Sequence, residues 1–228
     1  MAIDTVFLDA GGVLVFPSWA RVAAALARYG LTTTAEALAA VEWHAKHEVD
    51  TRARGELDVI RGWLVFEKVF ARAGIVGLGT ITAALADLQG YHASHNLWEH
   101  VPADVVPALR RLRASGRKLV VVSNANGRMR AALDRVGIGP HVDLVIDSHE
   151  EGVEKPDPRI FLNALARAGA RPETTLHVGD LFHTDVVGAR GAGLRAVLLD
   201  VADLYGDHDC ERVRSLGELA DRLDRERD

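Results

Sequence analysis

The sequence predicts an α/β fold, a parallel sheet covered by helices, with a helical domain inserted early in the chain. Three observations predict it. The run Thr5-Val6-Phe7-Leu8 reads as a strand covered on both faces, and it ends on Asp9. Residues 101–199 alternate apolar runs with helical spacing, joined by short glycine-bearing turns. Between these parts, residues 17–100 show helical spacing and no convincing strand.

Each element follows from its residues. After Asp9 the chain turns through Gly11 and Gly12, which let the backbone bend sharply and approach a ligand closely. Val22, Leu26 and Tyr29 predict a helix over 18–29, stopped by Gly30. Thr34 can cap a helix reaching about Arg54, with Leu38, Val41 and Val49 on its apolar side. Ile60, Leu64, Phe66 and Phe70 predict a helix over 57–73, and a shorter one follows over 80–88. A crossover between parallel strands needs only a helix and a dozen or so residues. The excess in 17–100 therefore reads as an inserted domain. All four tryptophans (Trp19, Trp43, Trp63, Trp98) lie there, as a small separate core would need.

From 101 the expected order is helix 103–114, strand 118–122, helix 128–136, strand 143–146, helix 158–168, strand 175–178, helix 185–192 and strand 195–199. Right-handed connections of this kind build a parallel sheet. Residues 1–16 and 101–228 are thus expected to form one core and 17–100 the insertion. The charged tail from 218 reads as an exposed helix end.

Bulk properties exclude several function classes. The 228 residues are 48% hydrophobic and 26% charged, ordinary for a globular protein. A formal net charge of −5 offers no footprint for nucleic acid. Cys210 stands alone, so no intrachain disulfide forms. No apolar run approaches a membrane span, and the N-terminus lacks the regions of a signal peptide. The expectation is a cytoplasmic monomer or homodimer. Lysine is scarce, at 46, 68, 118 and 155 only, so each retained lysine is worth examining for a specific role.

Polar residues mark four strand ends: Asp9, Ser123-Asn124, Lys155-Pro156, and Gly179-Asp180 followed by Asp185. In a parallel sheet these emerge on one edge. Asp9 is placed as a nucleophile, since a carboxylate can attack phosphorus and form an acyl phosphate. Asp180 and Asp185 flank a strand-to-helix turn and can face one cation, and an all-oxygen site suits Mg²⁺. Ser123, with the amides of Asn124 and Ala125 ahead of a helix, suits phosphate oxygens. Helix capping alone would also account for Ser123 and Asp185. Lys155 can neutralise Asp9 and a transferring group.

These four segments resemble the motifs of the haloacid dehalogenase superfamily. Asp9-x-x-Gly12-Val13-Leu14 resembles the first, Val121-Val122-Ser123-Asn124 the second, and Glu154-Lys155-Pro156-Asp157-Pro158 the third. His177-Val178-Gly179-Asp180 through Asp185 resembles the fourth. The resemblance implies a Rossmann-like core, a helical cap inserted after the first motif, Mg²⁺, and hydrolysis of a small phosphorylated metabolite. It implies metal ligation by Asp9, the Gly11 backbone carbonyl, Asp180 and Asp185, and phosphate binding by Ser123, Asn124 and Lys155. Phe16, Trp19, His44, Lys46, Arg54 and His183 are candidate substrate contacts. The Gly179-Asp180 to Asp185 pair resembles the phosphatases rather than the metal-free dehalogenases.

Gly11 departs from the pattern, because the family's phosphatases usually carry a second Asp there as general acid and base. Its absence favours good leaving groups, or another base such as His183, His44 or His47. Two alternatives follow. One is a weakly active or non-catalytic relative that binds a phosphorylated ligand or a protein. The other is phosphonate cleavage through a Schiff base on Lys46, although Glu42 and Glu48 make a solvated, ion-paired helix face the expectation for that lysine.

Overall fold

The computed structural model describes residues 2–52 and 58–226. The chain divides into two compact units, Met1–Phe16 with Val101–Asp228, and Pro17–His100. Arg54 lies outside the described residues.

The first strand, β1 (Thr5–Leu8), is buried along its whole length. A two-residue strand, β2 (Phe16–Pro17), follows the Gly11-Gly12 turn. The second unit is four helices: α1 (Trp19–Arg28), α2 (Ala35–Arg52), α3 (Asp58–Arg72) and α4 (Leu78–His95). The strand β3 (Trp98–His100) follows and pairs with β2. Helix α4 runs well past the predicted end. It runs through Gly90, since a mid-helix glycine costs only about 1 kcal/mol. The helix ends instead at Asn96, whose positive φ of 65° terminates it. Strand β3 was not expected, because three residues are too few for an alternating pattern to show. Trp19, Leu26, Leu38, Phe66, Phe70 and Leu88 form this unit's core. Glu48 ties α2 to α3 through Lys68 and Arg72, at 2.8 and 2.9 Å.

The remainder comprises α5 (Val105–Ala114), β4 (Lys118–Ser123), α6 (Met129–Arg135), β5 (Leu144–Asp147), α7 (Ser148–Glu151), α8 (Pro158–Ala168), β6 (Thr175–Gly179), α9 (Gly188–Gly191), β7 (Arg195–Leu199), β8 (Glu211–Val213) and α10 (Leu216–Arg225). It alternates as expected up to β7, with a short α7 and a strand β8 that were not among the expected elements. All sheet pairings are parallel, in the order β5-β4-β1-β6-β7-β8. The chain moves outward on one side of β1, to β4 and β5, then returns to its other side with β6. The switch point therefore lies at β1, where open sheets of this kind bind ligands.

Two expectations are corrected. The predicted helix 185–192 begins earlier, as a wide π-type turn over Phe182–Val187 that passes into α9. The tail is not an exposed helix end, since Leu216, Leu219, Ala220 and Leu223 of α10 are buried. Their spacing was masked by the surrounding charges. Among the described residues, no helix is long and apolar enough to cross a membrane.

Candidate active site

The register of the three central strands brings the polar residues together. Leu8 of β1 lies opposite Val121 of β4 and Val178 of β6. Asp9 follows one step beyond this register, and Ser123 and Asp180 two steps beyond it, so all three come to the same edge of the sheet. Asp9 is 9% exposed, and its backbone N–H donates to Val178 at 2.9 Å, continuing the ladder past the strand. Its carboxylate Oδ1 accepts from the Ala10 amide at 2.7 Å and from Lys155 Nζ at 2.8 Å. Both contacts fall on Oδ1 and use neither lone pair of Oδ2.

Lys155 is 1% exposed and bridges two carboxylates, Asp9 and, at 2.7 Å, Asp185. A buried ammonium persists only when paired, and here two anions hold it. Burial alone would lower its pKa, but Asp185 and Asp9 more than reverse this and push it well above the usual lysine range. Burial, assisted by the Asp185 charge, raises Asp9 above the usual carboxylate range against the pull of Lys155. Asp185 moves the other way, held low by Lys155 and His177 in spite of its burial. Carboxylate oxygens of Asp9, Asp180 and Asp185 all lie within 4.8 Å of one another. This all-oxygen donor set matches a hard divalent cation.

The Asn124 side chain holds a neighbouring loop, a job not foreseen for it. Its Nδ2 donates to the Lys155 carbonyl at 3.0 Å, and its Oδ1 accepts from the Lys155 amide at 2.7 Å. The side chain thus clamps the loop that carries the lysine. The expected amide cradle is also reduced. The Ala125 amide donates to Ser148 Oγ at 3.0 Å, and α6 starts only at Met129, whose amide donates to Asp147 at 3.1 Å. Ser123, 3% exposed, stands at the sheet edge as expected.

Phe16 and His183 belong to the same unit and are half-buried. His183 packs against Phe182, with ring centres 5.3 Å apart. In the helical unit, Trp19 is a core residue. It is 6% exposed, its Nε1 donates to Glu42 at 2.6 Å, and its ring packs on Phe66 at 5.3 Å. His44 is exposed. The solvated face expected at Lys46 is corrected. This lysine is 8% exposed, pairs with Glu42 at 3.3 Å and lies 4.9 Å from the Trp43 ring. Glu48 is not its partner, being taken by Lys68 and Arg72.

The glycines divide their roles. Gly12 carries the positive φ of 85° that the turn after Asp9 requires, and Gly11 does not. Gly179 serves close packing. A Cβ there would lie 2.0 Å from Asp185 Cγ. Gly179→Ala is therefore expected to displace Asp185 and to cost about 1–3 kcal/mol of stability, as overpacking does. Urea denaturation of the variant beside the native chain checks this.

One residue of the site was not singled out from sequence. His177, inside β6, is fully buried, and its Nε2 lies 3.0 Å from Asp185 Oδ1. Burial lowers its pKa in spite of that carboxylate. The available signal was a lone ionisable side chain in an otherwise uncharged strand.

Comparison with known proteins bears on the family and the fold. Over 138 residues the chain is 35% identical to a haloacid dehalogenase-like hydrolase domain-containing protein 3 of Bos taurus, covering 60% of this chain and 55% of that protein. Over 113 residues it is 38% identical to a glyceraldehyde 3-phosphate phosphatase of Methanopyrus kandleri, covering 49% and 48%. The chain spans about half the length of the curated relatives it matches. Its fold is similar to a HAD-hydrolase of Bacillus subtilis solved with magnesium, with a TM-score of 0.68, 17% identity and coverage of 98% and 99%. The family model for haloacid dehalogenase-like hydrolases matches residues 3–193, and the chain belongs to that family.

Proposed function

We propose that this chain is a Mg²⁺-dependent phosphatase of a small phosphorylated metabolite, acting through an aspartyl phosphate on Asp9. The observation that carries the reading is the buried lysine shared by Asp9 and Asp185 beside a third carboxylate, at the switch point of the sheet. A binding module has no need of so costly an arrangement, whereas phosphoryl transfer uses each part.

Asp9 Oδ2 attacks phosphorus, and the bond from phosphorus to the ester oxygen breaks. The leaving oxygen takes its proton from water, since Gly11 offers no acid. Water then attacks the acyl phosphate, the bond from phosphorus to Asp9 breaks, and inorganic phosphate leaves. Lys155 holds the Asp9 carboxylate in place and offsets charge on the transferring group. Ser123 donates to a phosphate oxygen. Asp9, Asp180, Asp185 and the Gly11 carbonyl would hold Mg²⁺, which offsets repulsion between the nucleophile and an anionic substrate.

The name of the Methanopyrus relative supports a small phosphorylated metabolite as the substrate class. Residues 17–100 act in this reading as the cap that selects the substrate and excludes water. The Lys46 ion pair with Glu42 weighs against the phosphonate alternative, because a Schiff base requires the neutral amine. The test is a panel of phosphate esters, acyl phosphates and anomeric sugar phosphates, with Mg²⁺ and with chelator. Chelator-sensitive phosphate release is expected. Turnover that persists in chelator, or none on any member, sinks the reading.

A further inference from the structure

The contacts of Asp185 give His177 a task. Asp185 Oδ1 receives Lys155 Nζ at 2.7 Å and His177 Nε2 at 3.0 Å, and its Oδ2 receives the Leu181 amide at 3.1 Å. Each carboxylate oxygen offers two lone-pair directions. On Oδ1 both are taken, by the lysine and the histidine. On Oδ2 one remains, and it is the only direction in which Asp185 can offer itself to a cation. Without His177, the carboxylate is free to turn and exchange its oxygens between Lys155 and a metal.

The histidine is built for one state. Asp185 Oδ1 faces the Lys155 ammonium at 2.7 Å and His177 Nε2 at 3.0 Å, and a carboxylate oxygen so placed accepts from both, so Nε2 carries the proton. The other ring nitrogen, Nδ1, is buried without a hydrogen-bond partner in the structure. A buried N–H left unpaired costs more than an idle lone pair, which again places the single proton on Nε2. Phe161 fixes the ring plane, with centres 4.8 Å apart at 72°. Gly179 also lies close to Asp185, leaving no room between them for a methyl group.

We propose that His177 is a positioning residue, a fixed Nε2–H donor that locks Asp185 so that one oxygen serves Lys155 and the other serves the metal. The proposal rests on the phosphatase reading for its metal. It assigns to a strand residue behind the site the task of holding a ligand that cannot be both mobile and shared. Outer partners of this kind typically change metal affinity or activity by about 10–100-fold when removed.

The test uses two variants of the full chain. His177→Phe fills the space without a donor. His177→Gln keeps an N–H near the position of Nε2. Both are expected to lower the melting temperature to a similar extent. His177→Phe is expected to weaken Mg²⁺ binding by titration calorimetry, and to lower kcat on acetyl phosphate, by about 10–100-fold with KM nearly unchanged. His177→Gln is expected to restore both to within about threefold of native, which a purely structural role would not produce. Equal effects of the two variants, scaling with their loss of stability, overturn the proposal. So does native Mg²⁺ affinity in His177→Phe. A crystal structure of His177→Phe provides a readout independent of turnover. The proposal expects the Asp185 carboxylate to have rotated, and an unchanged contact with Lys155 overturns it. Failure of the phosphatase reading shows separately, as absence of turnover in the native chain, and leaves the crystal structure to decide on His177.

Discussion

Asp9→Asn is expected to abolish phosphate release, by at least about 10⁴-fold in kcat, while leaving the fold intact. Loss of a covalent nucleophile elsewhere costs about 10⁶-fold in kcat, so the expectation is modest in size. Its value lies in the second half of the statement. The amide is the same size as the acid, and its oxygen can still accept from the Ala10 amide and from Lys155. Lys155 keeps Asp185, so its ammonium does not become an unpaired buried charge. Asp9 is raised above the usual carboxylate range, chiefly by burial. A carboxylate raised on folding opposes the fold as pH rises through its pKa, so at neutral pH its charge is a cost. The neutral amide removes that cost. In metal-free buffer the variant should therefore melt at or above the native temperature. With Mg²⁺ the order should reverse, because ligand binding stabilises only the chain that binds it well. Melting curves with and without Mg²⁺, beside phosphate release, check both halves. Residual activity above about 1% of native would remove Asp9 from the nucleophile's place.

What could be read from the sequence divides along a physical line. The β1 strand, the alternation after residue 101 and the convergence of Asp9, Lys155, Asp180 and Asp185 were legible, because each rests on local pattern plus the rule that parallel strands share an edge. Helix α8 lies over the predicted residues, bounded by Asp157 as its cap and Gly169 as its stop. Less legible were the features decided by tertiary packing. Trp19 counts both toward the inserted unit's core and as a candidate substrate contact, and only the fold shows its indole buried against Glu42. Lys46 carries the pattern of a solvated pair, yet it is buried. Asn124 follows a serine in a loop, and nothing local says that its side chain grips the backbone of Lys155, 31 positions away. His177 had a signal, a titratable group in a buried strand, but its partner lies within the π-type turn, whose width the helical period does not reveal. The substrate contacts among Phe16, His44 and His183 rest on the proposal alone.

Gly11→Asp is expected to raise kcat on unactivated alkyl phosphates by about 10²–10⁴-fold and to leave acyl phosphates nearly unchanged. The range is the usual worth of a positioned general acid and base. The backbone permits the change, since the left-handed conformation of this turn falls on Gly12 and not on Gly11. Gly11 is also only half-buried, so a carboxyl group has an outlet toward solvent. Its neighbours supply the right electrostatics. With Asp9, Asp180 and Asp185 close by, a further carboxylate meets like charges, which raise its pKa toward a value useful for proton donation. The experiment is a series of aryl and alkyl phosphates of increasing leaving-group pKa. In the native chain kcat should fall steeply along the series, because the departing oxygen leaves with little help. In Gly11→Asp the dependence should flatten, and the two lines should meet at the most acidic leaving groups. A flat dependence in the native chain would mean that another group already supplies the proton, and the gap at Gly11 would then have no kinetic meaning. A steep native line that Gly11→Asp fails to flatten would mean that the turn after β1 does not aim position 11 at the leaving oxygen. Where the native line is steep and Gly11→Asp flattens it, the site was shaped around substrates whose leaving groups depart as stable anions, and the missing side chain is part of its selectivity rather than a defect in its chemistry.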